Sequence, residues 1–144
     1  MISVKINILD KATKPEYKST GSAGADLYSF IDSDITIEPG KTALIPTGVL
    51  VEIPEGYEAQ IRPRSGLAFE HGLTVLNSPG TIDSDYRGEI KIIMINLSGK
   101  AFVVKNNMRI AQMIFARVYR AEFLFTDNLN STERGTGGFG HTGV

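Results

Sequence analysis

Asp83, Asp85, Tyr86 and Arg87 crowd into five positions of the stretch Gly80–Ile90, which reads GTIDSDYRGEI. A carboxylate can orient a water and take its proton, a guanidinium can meet an anion, and an aromatic ring can pack on a flat ligand. Such chemistry needs groups held to a fraction of an ångström, and paired strands hold side chains that well. Pro79-Gly80 marks a turn just after Asn77, and a long apolar run starts near Glu89. The stretch is therefore expected to form a hairpin. The competing reading is a polar turn whose acids are merely solvated.

Four further stretches carry candidate chemistry. In PRSGLA, Arg64, Ser65 and Gly66 offer a guanidinium, a hydroxyl and free backbone N–H groups together, a combination suited to phosphate. An ordinary capped helix with a surface arginine would look the same. The C-terminal RGTGGFGHTG spaces Arg134, Phe139 and Thr142 through glycines, an arrangement fit for a lid over a nucleotide. Gly135, Gly137 and Gly140 match G-x-G-x-x-G by chance, because the segment follows no βαβ unit and has no room for a helix after it. Gln112 lies in an apolar strand, where it could serve a ligand or simply bond within the sheet. Asp26, in SAGADLYSF, is set among apolar neighbours. Facing inward it would need a partner, and an arginine is the natural one.

The elements around these residues read as β-structure. Ile2, Val4, Ile6 and Ile8 alternate with polar residues, and Ile35–Ile37, stretches of Thr42–Ile53, Glu58–Arg62, Ala101–Val104 and Arg109–Ala121 read as further strands. Ser65 is expected to cap a short helix over Leu67–His71 that Gly72 ends. From Ile90, one face carries Ile92 and Met94 and the other Ile93, Ile95 and Leu97, so both faces need cover, the second from another subunit. Short strands at this spacing predict an all-β fold, a distorted jelly-roll barrel or sandwich with one short helix. Residues 1–125 form that domain. Residues 126–144, rich in Gly, Ser, Thr and Asn, form an arm expected to stay mobile until something orders it.

The chain has 144 residues, 42% of them apolar, enough for one packed domain. Its 15 basic and 16 acidic residues leave no charge excess to draw it to nucleic acid or membrane. It has no cysteine and two histidines, His71 and His141, unpaired at metal-ligand spacing. No run is long enough to span a bilayer, and the alternating N-terminus is not a signal peptide, so a cytoplasmic location is expected.

SAGADLYS, PRSGLA, GTIDSDYRGEI, RIAQMIF and RGTGGFGHTG, in this order and spacing, resemble the five motifs of the deoxyuridine triphosphatases (dUTPases). The resemblance covers essentially the whole chain. It implies a jelly-roll homotrimer that hydrolyses dUTP to dUMP and pyrophosphate, keeping uracil out of DNA and supplying dUMP for thymidylate synthesis. Each site would draw on more than one chain, closed by the glycine-rich arm. Asp83 would be the general base for a water attacking the α-phosphorus. Tyr86 would pack on the deoxyribose and exclude a 2′-hydroxyl. Asn77 and the backbone of Gly80, Thr81 and Ile82 would bond the uracil edge. Arg64, Ser65 and Gly66 would hold phosphates, assisted by Gln112, while Asp26 would orient Arg64 or the water shell of a magnesium ion. That Mg²⁺ would be held through the triphosphate, without direct protein ligands. From the arm, Phe139 would stack on the base, and Arg134, Gly140 and Thr142 would grip phosphate. His141 stands where the family commonly has Ser, leaving a side-chain phosphate contact there in doubt. Two rival readings are a dCTP deaminase-like relative and a nucleotide-sensing or protein-binding trimer.

Overall fold

The computed structural model describes residues 1–138 of the chain. Among the described residues, eleven strands and one helix form in chain order: β1 (Lys5–Ile8), β2 (Ala25–Tyr28), β3 (Ile35–Ile37), β4 (Thr42–Pro46), β5 (Val49–Glu52), β6 (Tyr57–Arg62), α1 (Ser65–His71), β7 (Leu73–Val75), β8 (Gly80–Ile82), β9 (Lys91–Asn96), β10 (Phe102–Val104) and β11 (Arg109–Arg117). All pairings are antiparallel, and they build sheets ordered β2-β11-β6-β8 and β4-β9-β7, with the pairs β1-β5 and β3-β10. The all-β, jelly-roll-like architecture expected from the alternating pattern is the one observed.

Period-two alternation decides which side chains reach the core. On the four-stranded sheet, Ala25, Leu27, Ala59, Ile61, Ala111 and Met113 are buried on one face. Leu27, Ala59, Ile61, Ala111 and Met113 join Ile45, Leu73, Val75, Ile92 and Met94 of the facing sheet in an apolar cluster. The opposite face of the four-stranded sheet carries the polar set. Asp26 pairs with Gln112 and Gln112 with Arg62, while Gln60 pairs with Ile114 and Thr81. This polar face is the platform for the candidate site.

Three expectations are corrected. Gly80–Ile90 is not a hairpin: β8 pairs with β6, and the loop after it crosses to β9 in another sheet. Both edges of β9 are already filled by β4 and β7, so β8 has no place beside it. Second, Ser65 is not the helix cap. Arg64 holds that position in extended conformation (φ −98°, ψ 129°) without a side-chain cap bond, and its carbonyl accepts Ala68 N–H at 3.1 Å. Gly72 does end α1, in the left-handed conformation (φ 64°) that glycine adopts freely. Third, β11 stops at Arg117 rather than Ala121: its partner β6 begins at Tyr57, and past that pair Val118 N–H donates to the Gly56 carbonyl at 3.0 Å, in the turn that precedes β6.

Candidate active site

Asp26 lies on β2 with its side chain 13% exposed, and it has found the arginine that burial demands. Arg64 Nε donates to Asp26 Oδ1 at 3.1 Å. Arg64 Nη1 also donates to the Arg109 carbonyl at 3.1 Å. The second carboxylate oxygen accepts Arg109 Nη1 at 3.2 Å. Two guanidinium groups on one carboxylate leave a local excess of positive charge. Arg64 Nη2 makes no hydrogen bond among the described residues, so that edge is available to an anion.

Arg109 had no place in the sequence-based set, and the reason is geometric. It lies three residues before Gln112, a spacing that puts it on the opposite face of a regular strand. A register shift between Arg109 and Ala111 inserts one extra residue, setting Arg109 rather than Ile110 opposite Tyr28. The bulge turns Arg109 onto the polar face beside Asp26 and leaves Ile110 buried. A two-residue alternation count carries no signal for such a bulge.

Gln112 donates from Nε2 to the Pro63 carbonyl at 2.9 Å, which ties PRSGLA to the sheet. Its Oε1 would stand 2.3 Å from a Cβ built on Gly24, so a side chain there would push the Gln112 amide out of its present position. Beyond this anchored segment, Ser65 and Gly66 are exposed, and nothing lies within 4 Å of the place a Gly66 side chain would occupy. Arg64, Ser65, Gly66, Gln112 and Asp26 are thus brought together.

Asp83 is placed elsewhere. Ile82 pairs with Ala59, so Asp83 falls beside Glu58, at the far end of β6 from Arg62. Four residues along the strand at ~3.3 Å each, and three strand spacings across to Asp26, give a separation on the order of 20 Å. Reacting groups must approach to about 3–3.5 Å. Asp83 also borders a groove of about 910 Å³ lined by Glu52, Glu55, Glu58 and Asp85 against Arg87 and Arg120. That acidic lining does not suit a polyanion.

Asn77 is exposed above the buried Gly80; Thr81 is exposed and Ile82 half-buried. The Asp83 carbonyl accepts Tyr86 N–H at 3.2 Å, closing a tight turn, and Tyr86 is 44% exposed. Arg134 donates from Nε to the Gly137 carbonyl at 2.8 Å, a local turn apart from the Asp26 cluster. Phe139, Gly140, His141 and Thr142 lie outside the described residues.

A sequence model of the dUTPase family matches residues 10–143. The deoxyuridine 5'-triphosphate nucleotidohydrolase of Chlamydia pneumoniae is 58% identical over 131 residues, covering 90% of each chain. The protein of the same name from Fusobacterium nucleatum is 49% identical over 142 residues, covering 99% of this chain and 97% of its own. Among solved structures, the dUTPase of Staphylococcus bacteriophage 80alpha with dUPNHPP superposes with a TM-score of 0.89 at 26% identity, covering all of both chains.

Proposed function

The chain belongs to the dUTPase family and hydrolyses dUTP to dUMP; from that premise we propose that its site is divided between subunits of a homotrimer. The observation that carries this reading is the separation just described. Asp26, Arg64 and Arg109 form a cationic pole on one face, while Asp83 stands far from it beside an acidic groove. A second chain that brings its pole to this chain's Asp83 completes the site. The apolar outer face of the β4-β9-β7 sheet supports association: Leu44, Leu76 and Leu97 are 56%, 54% and 67% exposed there, around the half-buried Ile93 and Ile95.

In this mechanism Asp83 accepts a proton from a water that attacks the α-phosphorus, and pyrophosphate leaves. Phosphoryl chemistry needs alignment and charge neutralisation more than a covalent intermediate. Arg64, with Ser65 and Gly66, grips the phosphates, and Gln112 keeps that segment against the sheet. Asn77 and the backbone of Gly80, Thr81 and Ile82 read the uracil edge, while Tyr86 packs on the sugar.

Among the described residues, no group of three or more His, Cys, Asp or Glu could hold a metal. The donors present fit a hard cation that arrives on the triphosphate and keeps much of its water. The Asp26 carboxylate, beside the phosphate-gripping Arg64, would receive a water of that shell. Bound Mg²⁺ would add to the neutralisation of phosphate charge.

Residues 126–144 are the arm that closes over a neighbouring site, with Arg134, Gly140 and Thr142 on phosphate and Phe139 on the base. We place the enzyme in the cytoplasm; no helix among the described residues is long and apolar enough to cross a membrane. Pyrophosphate release with dUTP, dTTP, dCTP and UTP at equal concentration, with and without Mg²⁺, tests the activity. Release from dUTP alone is expected, and comparable release from all four would overturn the substrate reading. Deleting Ser131–Val144 should leave the oligomer assembled yet remove most turnover. An unchanged rate would show that the arm plays no part in closing the site.

A further inference from the structure

Gly88 lies directly beneath the Tyr86 ring. A Cβ built on Gly88 would stand 2.3 Å from the Tyr86 hydroxyl oxygen, 2.5 Å from Cζ and 3.0 Å from Cε2. Real side chains do not tolerate such approaches, so the ring can occupy this position only over bare backbone. The Gly88 backbone is not in the left-handed region, so its φ does not demand glycine. The ring alone gives the reason for glycine here.

The Tyr86 hydroxyl, carried across Gly88, donates to the Glu89 carbonyl at 3.1 Å. Glu89 is itself fixed: its Oε1 accepts Gly48 N–H at 2.8 Å and its Oε2 lies 3.6 Å from Lys91 Nζ. Ile90 N–H then donates to the Val49 carbonyl at 2.8 Å. The far end of the ring is thereby tied to the core through Glu89, and its near end to the Asp83 turn. A half-exposed tyrosine otherwise samples several rotamers, and a gate that moves excludes nothing.

We infer that Gly88 is a specificity-determining residue. By carrying no side chain, it lets Tyr86 lie across the loop with its hydroxyl on the Glu89 carbonyl, and so holds the ring where it excludes a 2′-hydroxyl. The inference rests on the reading of Tyr86 as the sugar gate. Gly88→Ala displaces only the end of a flexible side chain, so the loop and the fold accommodate it while the gate shifts.

The test is the ratio of kcat/KM for UTP to that for dUTP, measured for the wild type, Y86A, G88A and the double variant. Y86A should raise the ratio most. G88A should raise it about tenfold, the scale of discrimination set by a small steric misfit. Adding G88A to Y86A should change the ratio no further, because no ring remains to displace. A ratio unchanged in G88A but raised in Y86A would overturn the role of Gly88 and leave the gate standing. A ratio unchanged in Y86A would overturn the gate, and this inference with it. An equal G88A effect with and without the ring would show that Gly88 acts on the backbone instead. If G88A fails to fold, Y86F replaces it: the ring stays, only the hydroxyl tether is lost, and an unchanged ratio sinks the inference.

Discussion

Replacing Asp83 by Asn should lower kcat for dUTP by about 10²–10⁴-fold, the usual contribution of a positioned general base. The amide keeps the size of the side chain and can still bond a water, but it cannot take the proton. Affinity for a non-hydrolysable dUTP analogue should stay within about tenfold, since Asp83 acts on the water rather than on the substrate. Asp83 is exposed and makes no side-chain hydrogen bond among the described residues, so the substitution should leave the fold intact. Rate by pyrophosphate release and affinity by equilibrium binding separate the two effects. Equal losses in both would contradict the role of base.

Replacing Arg64 by Ala should lower kcat/KM by about 10²–10³-fold, the cost of truncating one member of a well-shielded charge pair. Two effects combine. The phosphate loses its guanidinium, and Asp26 keeps Arg109 alone, which weakens the excess positive charge of the cluster. R64K should recover little of the loss. A lysine ammonium is a point charge and cannot span Asp26 and the Arg109 carbonyl while presenting a free edge to an anion. Steady-state kinetics of R64A and R64K measure this, with thermal midpoints as the fold control. A variant within about tenfold of wild type would remove Arg64 from the phosphate site.

The sequence was most informative where a residue's requirement is local or follows a strict period. Alternation in Glu58–Arg62 separates core from polar face, as β6 bears out with Ala59 and Ile61 buried and Gln60 and Arg62 on the other side. Asp26 among apolar neighbours implied an arginine, and it has two. What escaped depends on partners distant in the chain. The pairing of β8 with β6 follows from β4 and β7 filling the edges of β9, which no local pattern encodes. Arg109 was missed because a bulge reverses its face. Ser65 resembles a cap in composition, but the extended Arg64 takes the place one residue earlier. Gly88 was not singled out because its requirement comes from a ring folding back over it, not from its own backbone angles.

Mixing the two defective enzymes tests the divided site most directly. D83N and R64A, each nearly inactive alone, would be unfolded together in equal amounts and reassembled. If each site takes Asp83 from one chain and Arg64 from another, random association in a closed ring restores both groups in about a quarter of the sites. The mixture should then recover about a quarter of wild-type turnover. If both groups of a site came from the same chain, no subunit would carry an intact pair, and a reassembled mixture no more active than its parents would contradict the account.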